Sequence, residues 1–438
     1  MVNVRSWTIG LLLAGAVVCP AQVTFTEYAV PTSGSQPYGI TRGPDGNLWF
    51  TEFSGNKVGK ITTNGVITEF SIPTGNGSPA DITAGPDGNL WFTEYYGQKI
   101  GRITTAGAIT EFPIPSGNSL PYGITVGPDG NLWFTENNGH IQPASYIGRI
   151  TTSGAITEFA TGGGSGSAPS QITVGSDGNL WFADNQGDRI GRITTSGVIT
   201  YFPIPTPSTA GALAITAGPD GNLWFEEYYQ NKIGRITTSG VITEFPIPTA
   251  SVTDGITSGP DGNLWFTEST GNIGRITTTG TVTEFPVPNG SSLPNEITTG
   301  PDGNLWFTEY AANKIVKVSI NSPRYSLCLL YDPSKAVRSG ATVPIKLQLC
   351  DGSGNDLSSA SITVHAVSIT QASSSISGAV QDSGDANPDN DFRFDSTLGS
   401  TGGYIFNLST KGLTTGTYNL NFTVTGDSFV YAAPFQVK

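Results

Sequence analysis

An all-β architecture is predicted: a seven-bladed β-propeller closed by its N-terminal strand, followed by an immunoglobulin-like β-sandwich. Three observations predict it. Tryptophan recurs at Trp49, Trp91, Trp133, Trp181, Trp224, Trp265 and Trp306, at intervals within the range of propeller blades. Each tryptophan sits in the same frame, a Gly-Pro-Asp-Gly-Asn turn (Gly-Ser-Asp-Gly-Asn in the fourth copy) running into Leu-Trp-Phe. Finally, residues 324–438 drop the repeat but keep strand-like segments between Gly, Ser and Asn turns.

Each repeat reads as four strands. The first ends at the Gly-Pro-Asp-Gly turn, and the second is Asn-Leu-Trp-Phe-Thr-Glu. The third is Ile-Gly-Arg-Ile-Thr, and a Thr-Thr-Ser-Gly turn leads to the fourth, Val-Ile-Thr-Glu-Phe. A Pro-x-Pro tail stops that strand, because proline cannot donate to a ladder. The aspartate of the turn, Asp45 through Asp302, recurs in all seven copies, which assigns it to turn chemistry rather than catalysis. The chain opens on a lone fourth strand, Val23 to Pro31, and the last repeat lacks one. The N-terminal strand is therefore expected to complete blade 7 and remove the open edges. The expected domains are a leader at 1–21, the propeller at 22–322 and the sandwich at 323–438.

The leader expectation rests on Arg5, the apolar run Ile9 to Val18, and small residues up to Ala21, where cleavage is expected. The run is too short for a comfortable membrane span, and the residues before Cys19 do not suit a lipobox. An extracytoplasmic address, secreted or periplasmic, follows. Removal of Cys19 leaves Cys328 and Cys350, an even count that suggests a disulfide in an exported chain. Two buried free thiols are the alternative.

The net charge of −13 and the lack of a basic stripe exclude nucleic acid and anionic membranes as partners. A cation, a sugar, a peptide or another small molecule remains open, and a monomer is expected. The residues two before each first-strand Ile are expected to line the mouth: Tyr38, Ala80, Tyr122, Ser170, Leu213, Asp254 and Asn295. Asp81, Gln171 and Glu296 are added from the next position. They differ from blade to blade while the scaffold repeats, and such departures are where function is written.

Seven second strands end in an acid, from Glu52 to Glu309, and five have a base across the hairpin: Lys57, Lys99, Arg189, Lys232 and Lys314. Hairpin ion pairs are the plain reading, and a carboxylate ring gripping a cation is the alternative. His140, in a long loop, and His365 are the only histidines. Asp385, Asn387, Asp389 and Asp391 place oxygens at alternate positions, like the start of a calcium loop. The sharp-turn glycine and distal glutamate are missing.

Trp-Phe-Thr-Glu, Ile-Gly-Arg-Ile-Thr and Thr-Glu-Phe-Pro-Ile-Pro across residues 23–320 closely resemble the streptogramin B (virginiamycin B) lyases. That resemblance implies a seven-bladed propeller and metal-dependent, usually magnesium-dependent, ring opening of a cyclic depsipeptide by elimination. It also implies a pocket with a tyrosine entering blade 1, a histidine entering blade 6, a Glu-Pro-His entering blade 7, and a glutamate after the last Trp-Phe. Tyr38 and Glu309 match. Asp254 stands at the blade 6 histidine, and Leu293-Pro294-Asn295 stands for Glu-Pro-His. Both histidines and one carboxylate of the pattern are replaced. Tyr331-Asp-Pro-Ser-Lys and Thr342 to Leu349 resemble an Ig-like module of secreted bacterial proteins, which implies an accessory role.

The expected function is therefore a ligand-binding propeller framed by Tyr38, Tyr122, Asp254, Asn295, Glu296 and Glu309. The alternatives are an altered lyase, with Asp254 as base and Glu309 holding the metal, and a surface scaffold for protein partners.

Overall fold

A computed structural model describes residues 22–438, apart from 118, 138–144, 163–165, 207–210, 250–251, 289, 291, 322–323, 352–353, 372–376, 379, 381–386 and 400. The leader and His140 lie outside the described residues. Contacts divide the chain into two units, Thr24–Ser319 and a second built on Ile320–Lys438.

The first unit is seven antiparallel sheets of four strands each. Blade 1 runs outwards from the axis as Pro37–Arg42, Leu48–Glu52, Lys57–Ile61 and Ile67–Ser71. Blade 7 takes its inner strands from Pro294–Thr299, Leu305–Glu309 and Lys314–Asn321, and its outermost from Gln22–Ala29. The innermost strands of successive blades touch all the way round, including blade 7 to blade 1. Tyr28 stacks on Trp306 at 5.7 Å, filling the place that Phe70 takes on Trp49 in blade 1. The closing strand thus supplies both a ladder and the missing aromatic partner.

One network repeats at the turn end. In blade 3 Asp129 accepts the Asn131 N–H at 3.2 Å and the Trp133 indole N–H at 3.0 Å. Arg149 lies 3.8 Å from the same carboxylate and over the Trp133 ring. The seven repeat tryptophans are fully buried and their seven indoles donate to the turn aspartates. The third-strand glycine has a steric cause: a Cβ on Gly148 would meet the Phe134 ring at 2.1 Å.

The second unit is a sandwich of two four-stranded sheets. One holds Ser326–Leu329, Thr342–Cys350, Gly403–Ser409 and Arg393–Asp395. The other holds Ser377–Gly378, Val364–Gln371, Gly416–Val424 and Asp427–Val437. Ile345, Leu347 and Tyr404 from the first share one core with Val364, Leu420 and Tyr431 from the second. Cys328 and Cys350, 6.1 Å apart at Cα, form a disulfide. Among the described residues no helix is long and apolar enough to cross a membrane.

In the suggested calcium segment, the Asn387 side chain donates to the Asn407 carbonyl and accepts from its N–H. Asp391 bonds the His365 ring at 2.7 Å, Asp389 is exposed, and Asp385 lies outside the described residues. The side chains of Asn387 and Asp391 are thus committed to separate partners.

Candidate functional site at the propeller mouth

Every blade carries the same irregularity at the mouth end of its inner hairpin. In blade 1 Pro37 pairs with Glu52 and Ile40 with Phe50, so Tyr38 and Gly39 together face Thr51. Such a bulge re-aims side chains, and it turns the residue two before each Ile into the mouth. In five of the seven blades a threonine supports the bulge. Thr51 accepts the Gly39 N–H at 2.8 Å and donates to the Ala80 carbonyl of the next blade at 2.5 Å. Thr93, Thr135, Thr267 and Thr308 reach Tyr122, Ser170, Asn295 and Tyr38 in the same way.

Two adjoining cavities occupy the mouth. One, of about 270 Å³, is lined by Tyr38, Tyr95, Tyr122, Asn137, Ser170, Asn185, Leu213, Tyr228, Tyr229 and Asp254. The other, of about 210 Å³, is lined by Tyr38, Tyr228, Val252, Asp254, Ser269, Leu293, Asn295 and Tyr310. Tyr38, Tyr122, Asp254 and Asn295 are therefore brought together as expected, with Ser170 and Leu213. The Tyr38 and Tyr122 hydroxyls are 2.5 Å apart. Burial, offset in part by the Tyr122 hydrogen bond, pushes the Tyr38 phenol far above its ordinary range, so it stays protonated. Burial also raises Asp254, to about 6.

Tyr95, Tyr228, Tyr229 and Tyr310 were not legible from the loop positions considered above. Three of them directly follow the repeated second-strand acid, at a place that varies as Phe53, Tyr95, Asn137, Asn185, Tyr228, Ser269 and Tyr310. That variation inside a fixed frame was the available signal.

Glu296 is placed differently from the expectation. Side chains alternate along a strand, so Asn295 enters the mouth while Glu296 faces the central channel below. There it joins Asp81 and Gln171 around a cavity of about 210 Å³. Gln171 donates to Glu296 across the channel. Asp81 accepts the Ile82 and Ile124 N–H groups at 2.7 and 2.8 Å. Burial raises both acids, Asp81 to about 7 and Glu296 well above the carboxylate range.

Glu309 is also elsewhere. It is fully buried and lines neither mouth cavity. Like the other second-strand acids it lies against the segment entering its own blade. Glu136 there accepts the Ser119 and Ser116 hydroxyls at 2.9 and 3.2 Å. Burial raises Glu309, against the Ser292 hydroxyl and Lys314.

The expected hairpin ion pairs are corrected as well. Lys57, Lys99 and Lys232 pair with the fourth-strand Glu69, Glu111 and Glu244, and Lys314 pairs with Glu27. The lysines keep to partly solvated carboxylates, because joining the dry second-strand acids would desolvate both charges. Only Arg189 meets its second-strand acid, Asp184, at 2.8 Å. Blade 4 has Tyr201 where the others have glutamate, and Arg189 lies over that ring at 3.7 Å.

The lining does not fit a divalent metal. Asp254 is its one carboxylate, Leu293 stands where a second would be needed, and burial keeps the Tyr38 and Tyr122 phenols protonated. Among the described residues no three His, Cys, Asp or Glu side chains are grouped to hold a metal.

One residue breaks the support pattern. Glu226 stands where five blades have the bridging threonine and blade 4 has Ala183. It is fully buried, and neither carboxyl oxygen has a hydrogen-bond partner. Burial, aggravated by Asp254 and Glu296, holds it well above the carboxylate range; the Gly255 N–H opposes this weakly, without the geometry of a hydrogen bond. The mouth residue this position supports in the next blade is Asp254.

Residues 23–254 and 207–327 match the family model of the virginiamycin B lyases. A streptogramin B lyase structure is 41% identical over 68% of this chain and 98% of its own, with a TM-score of 0.64. Virginiamycin B lyase from Staphylococcus aureus is 44% identical over 68% of this chain and 99% of its own, with the same TM-score. The same alignment values hold for a catalytically inactive histidine-to-alanine variant of that enzyme with quinupristin. Virginiamycin B lyase from Bacillus licheniformis is 50% identical over 46 residues, 10% of this chain and 16% of that enzyme. With the propeller, its bulged mouth and these matches in place, the chain belongs to the virginiamycin B lyase family.

Proposed function

We propose that this family member is an exported small-molecule-binding protein whose site is the tyrosine-lined mouth, and that it does not open streptogramin rings. The observation that carries this reading is the lining itself. Among the described residues it contains one carboxylate and no His, Lys or Arg. One histidine-to-alanine change goes with inactivity in the Staphylococcus aureus enzyme, whereas the family's two histidine positions here are Asp254 and Asn295. Six tyrosines supply apolar faces and phenol groups suited to a sugar, a peptide or a small cation. The Cys328–Cys350 disulfide supports an oxidising, extracytoplasmic setting. We read residues 323–438 as an Ig-like accessory module.

A second reading has one observation in its favour. Asp254, raised to about 6 by burial at the mouth, has the proton affinity of a general base. It would make the protein a carbon–oxygen lyase with an altered catalytic group. Incubating residues 22–438 with a streptogramin B and magnesium, followed by mass spectrometry, separates the two. The binding reading expects the ring to stay closed. Ring opening that disappears in Asp254→Asn would replace it with the lyase reading.

A further inference from the structure

The charge and the walls of the mouth narrow the ligand class, granted that the mouth is the binding site. Asp254 is the only charged side chain of the lining among the described residues. Behind it stands Glu226, fully buried and without a partner on either oxygen. Below, Glu296 and Asp81 face the channel. Burial holds Glu226 and Glu296 well above the carboxylate range, so they stay protonated and Asp254 is left as the charge of the mouth. No base among the described lining residues offsets it. An anion would meet its repulsion and a neutral ligand would leave it unpaired, whereas a cation supplies the counter-charge.

The walls favour an organic cation over a hydrated ion. Tyr228 and Tyr229 meet edge to face, with centroids 4.7 Å apart at 88°, and Tyr95 and Tyr96 do the same at 4.9 Å and 77°. In each pair one ring, Tyr96 or Tyr229, is exposed at the rim and the other lines the cavity. The Tyr229 ring lies directly on Gly211, where a Cβ would come within 2.7 Å of it. Aromatic faces around a carboxylate form the recognition pattern of ammonium groups, through the negative face of each ring. A space of about 270 Å³ suits a small molecule.

We propose that the mouth binds an ammonium-bearing small molecule, its cationic head against Asp254 and its alkyl groups against Tyr38, Tyr95, Tyr228 and Tyr229. Glu226 is a positioning residue in this account. Where other blades brace the mouth residue with a hydroxyl, it places a further carboxyl behind Asp254.

The test compares two probes of the same shape by calorimetry on residues 22–438: choline and its neutral carbon isostere, dimethylbutanol. Choline is expected to bind with a Kd below about 1 mM and at least about tenfold more tightly than the isostere, the difference one desolvated cation–π contact makes. Asp254→Asn and Tyr228→Leu should each weaken choline about tenfold while the isostere changes less. Equal binding of the two probes, or no choline binding, overturns the cation assignment in the wild-type protein, whatever the variants do. Cellobiose in the same cell keeps the two readings apart. Cellobiose binding that is lost in Tyr228→Leu would leave the mouth as the site and remove only the cation. If no probe depends on Tyr228 or Asp254, the mouth reading falls as well.

Discussion

At the turn end of the propeller seven aspartates, Asp45 to Asp302, each hold an indole N–H, and each has a Lys or Arg within 4.0 Å. At the mouth end the corresponding first-strand register carries Tyr38, Ala80, Tyr122, Ser170, Leu213, Asp254 and Asn295. The acids behave oppositely at the two ends. Burial works against ionisation of Asp129, but hydrogen bonds from Trp133 and Asn131 hold it below its ordinary value. Asp254, Asp81, Glu226 and Glu296 lie above theirs, burial being the largest cause for each. One end ionises its acids and repeats them; at the other, burial holds the acids above their ordinary range and the lining varies. Stability is concentrated in the repeated end, and the mouth keeps groups that cost stability.

The largest expected effect lies at the turn end. Trp133→Ala removes a fully buried ring and should lower unfolding free energy in urea by about 3–5 kcal/mol, whereas the mouth change Tyr228→Leu should cost less than about 1 kcal/mol. Similar losses from the two would dissolve the contrast. Asp129→Ala should follow at about 2 kcal/mol, since it strips the charged acceptor from Asn131 and Trp133 together.

A pH scan tests the acids as a group. Burial, the largest cause in each case, raises Glu52 and Glu268 to about 7, and Glu94, Glu136 and Glu227 to about 8, from an ordinary 4.5. Between 4.5 and 8 these groups hold protons when folded and release them on unfolding, so their contribution is full below 4.5 and is lost as pH rises through 7 to 8. The turn aspartates act in the other sense, contributing above their ordinary 3.8 and losing it in acid. Melting temperature should therefore peak at mildly acidic pH and fall toward pH 8. A rise from pH 5 to pH 8 would show that the second-strand acids are ionised in the fold.

The blade number, the closing strand and most mouth positions were legible because each is a matter of period and count. Trp306 without a fourth strand behind it and Val23–Pro31 without a blade ahead of it are two halves of one observation. Which way a side chain points was less legible. Glu296 was expected in the mouth with Asn295, but alternation sends neighbours to opposite sides. Lys57 was expected on Glu52, its cross-strand partner in register. It bonds the diagonal Glu69 instead, because Glu52 is dry and Glu69 is partly solvated. Glu226 was hidden by its neighbour: Trp-Phe-Glu-Glu reads as the repeat with an extra acid until the threonines on other blades are seen to bridge.

Glu226→Thr tests most directly whether the departures from the repeat are kept for the ligand. The substitution restores the bridging hydroxyl of five other blades and removes a buried carboxyl with no partner. Stability should be higher by about 1–3 kcal/mol in urea, together with weaker choline binding. A variant that is less stable than the wild type, or more stable with choline affinity unchanged, would show that Glu226 is not kept for the ligand.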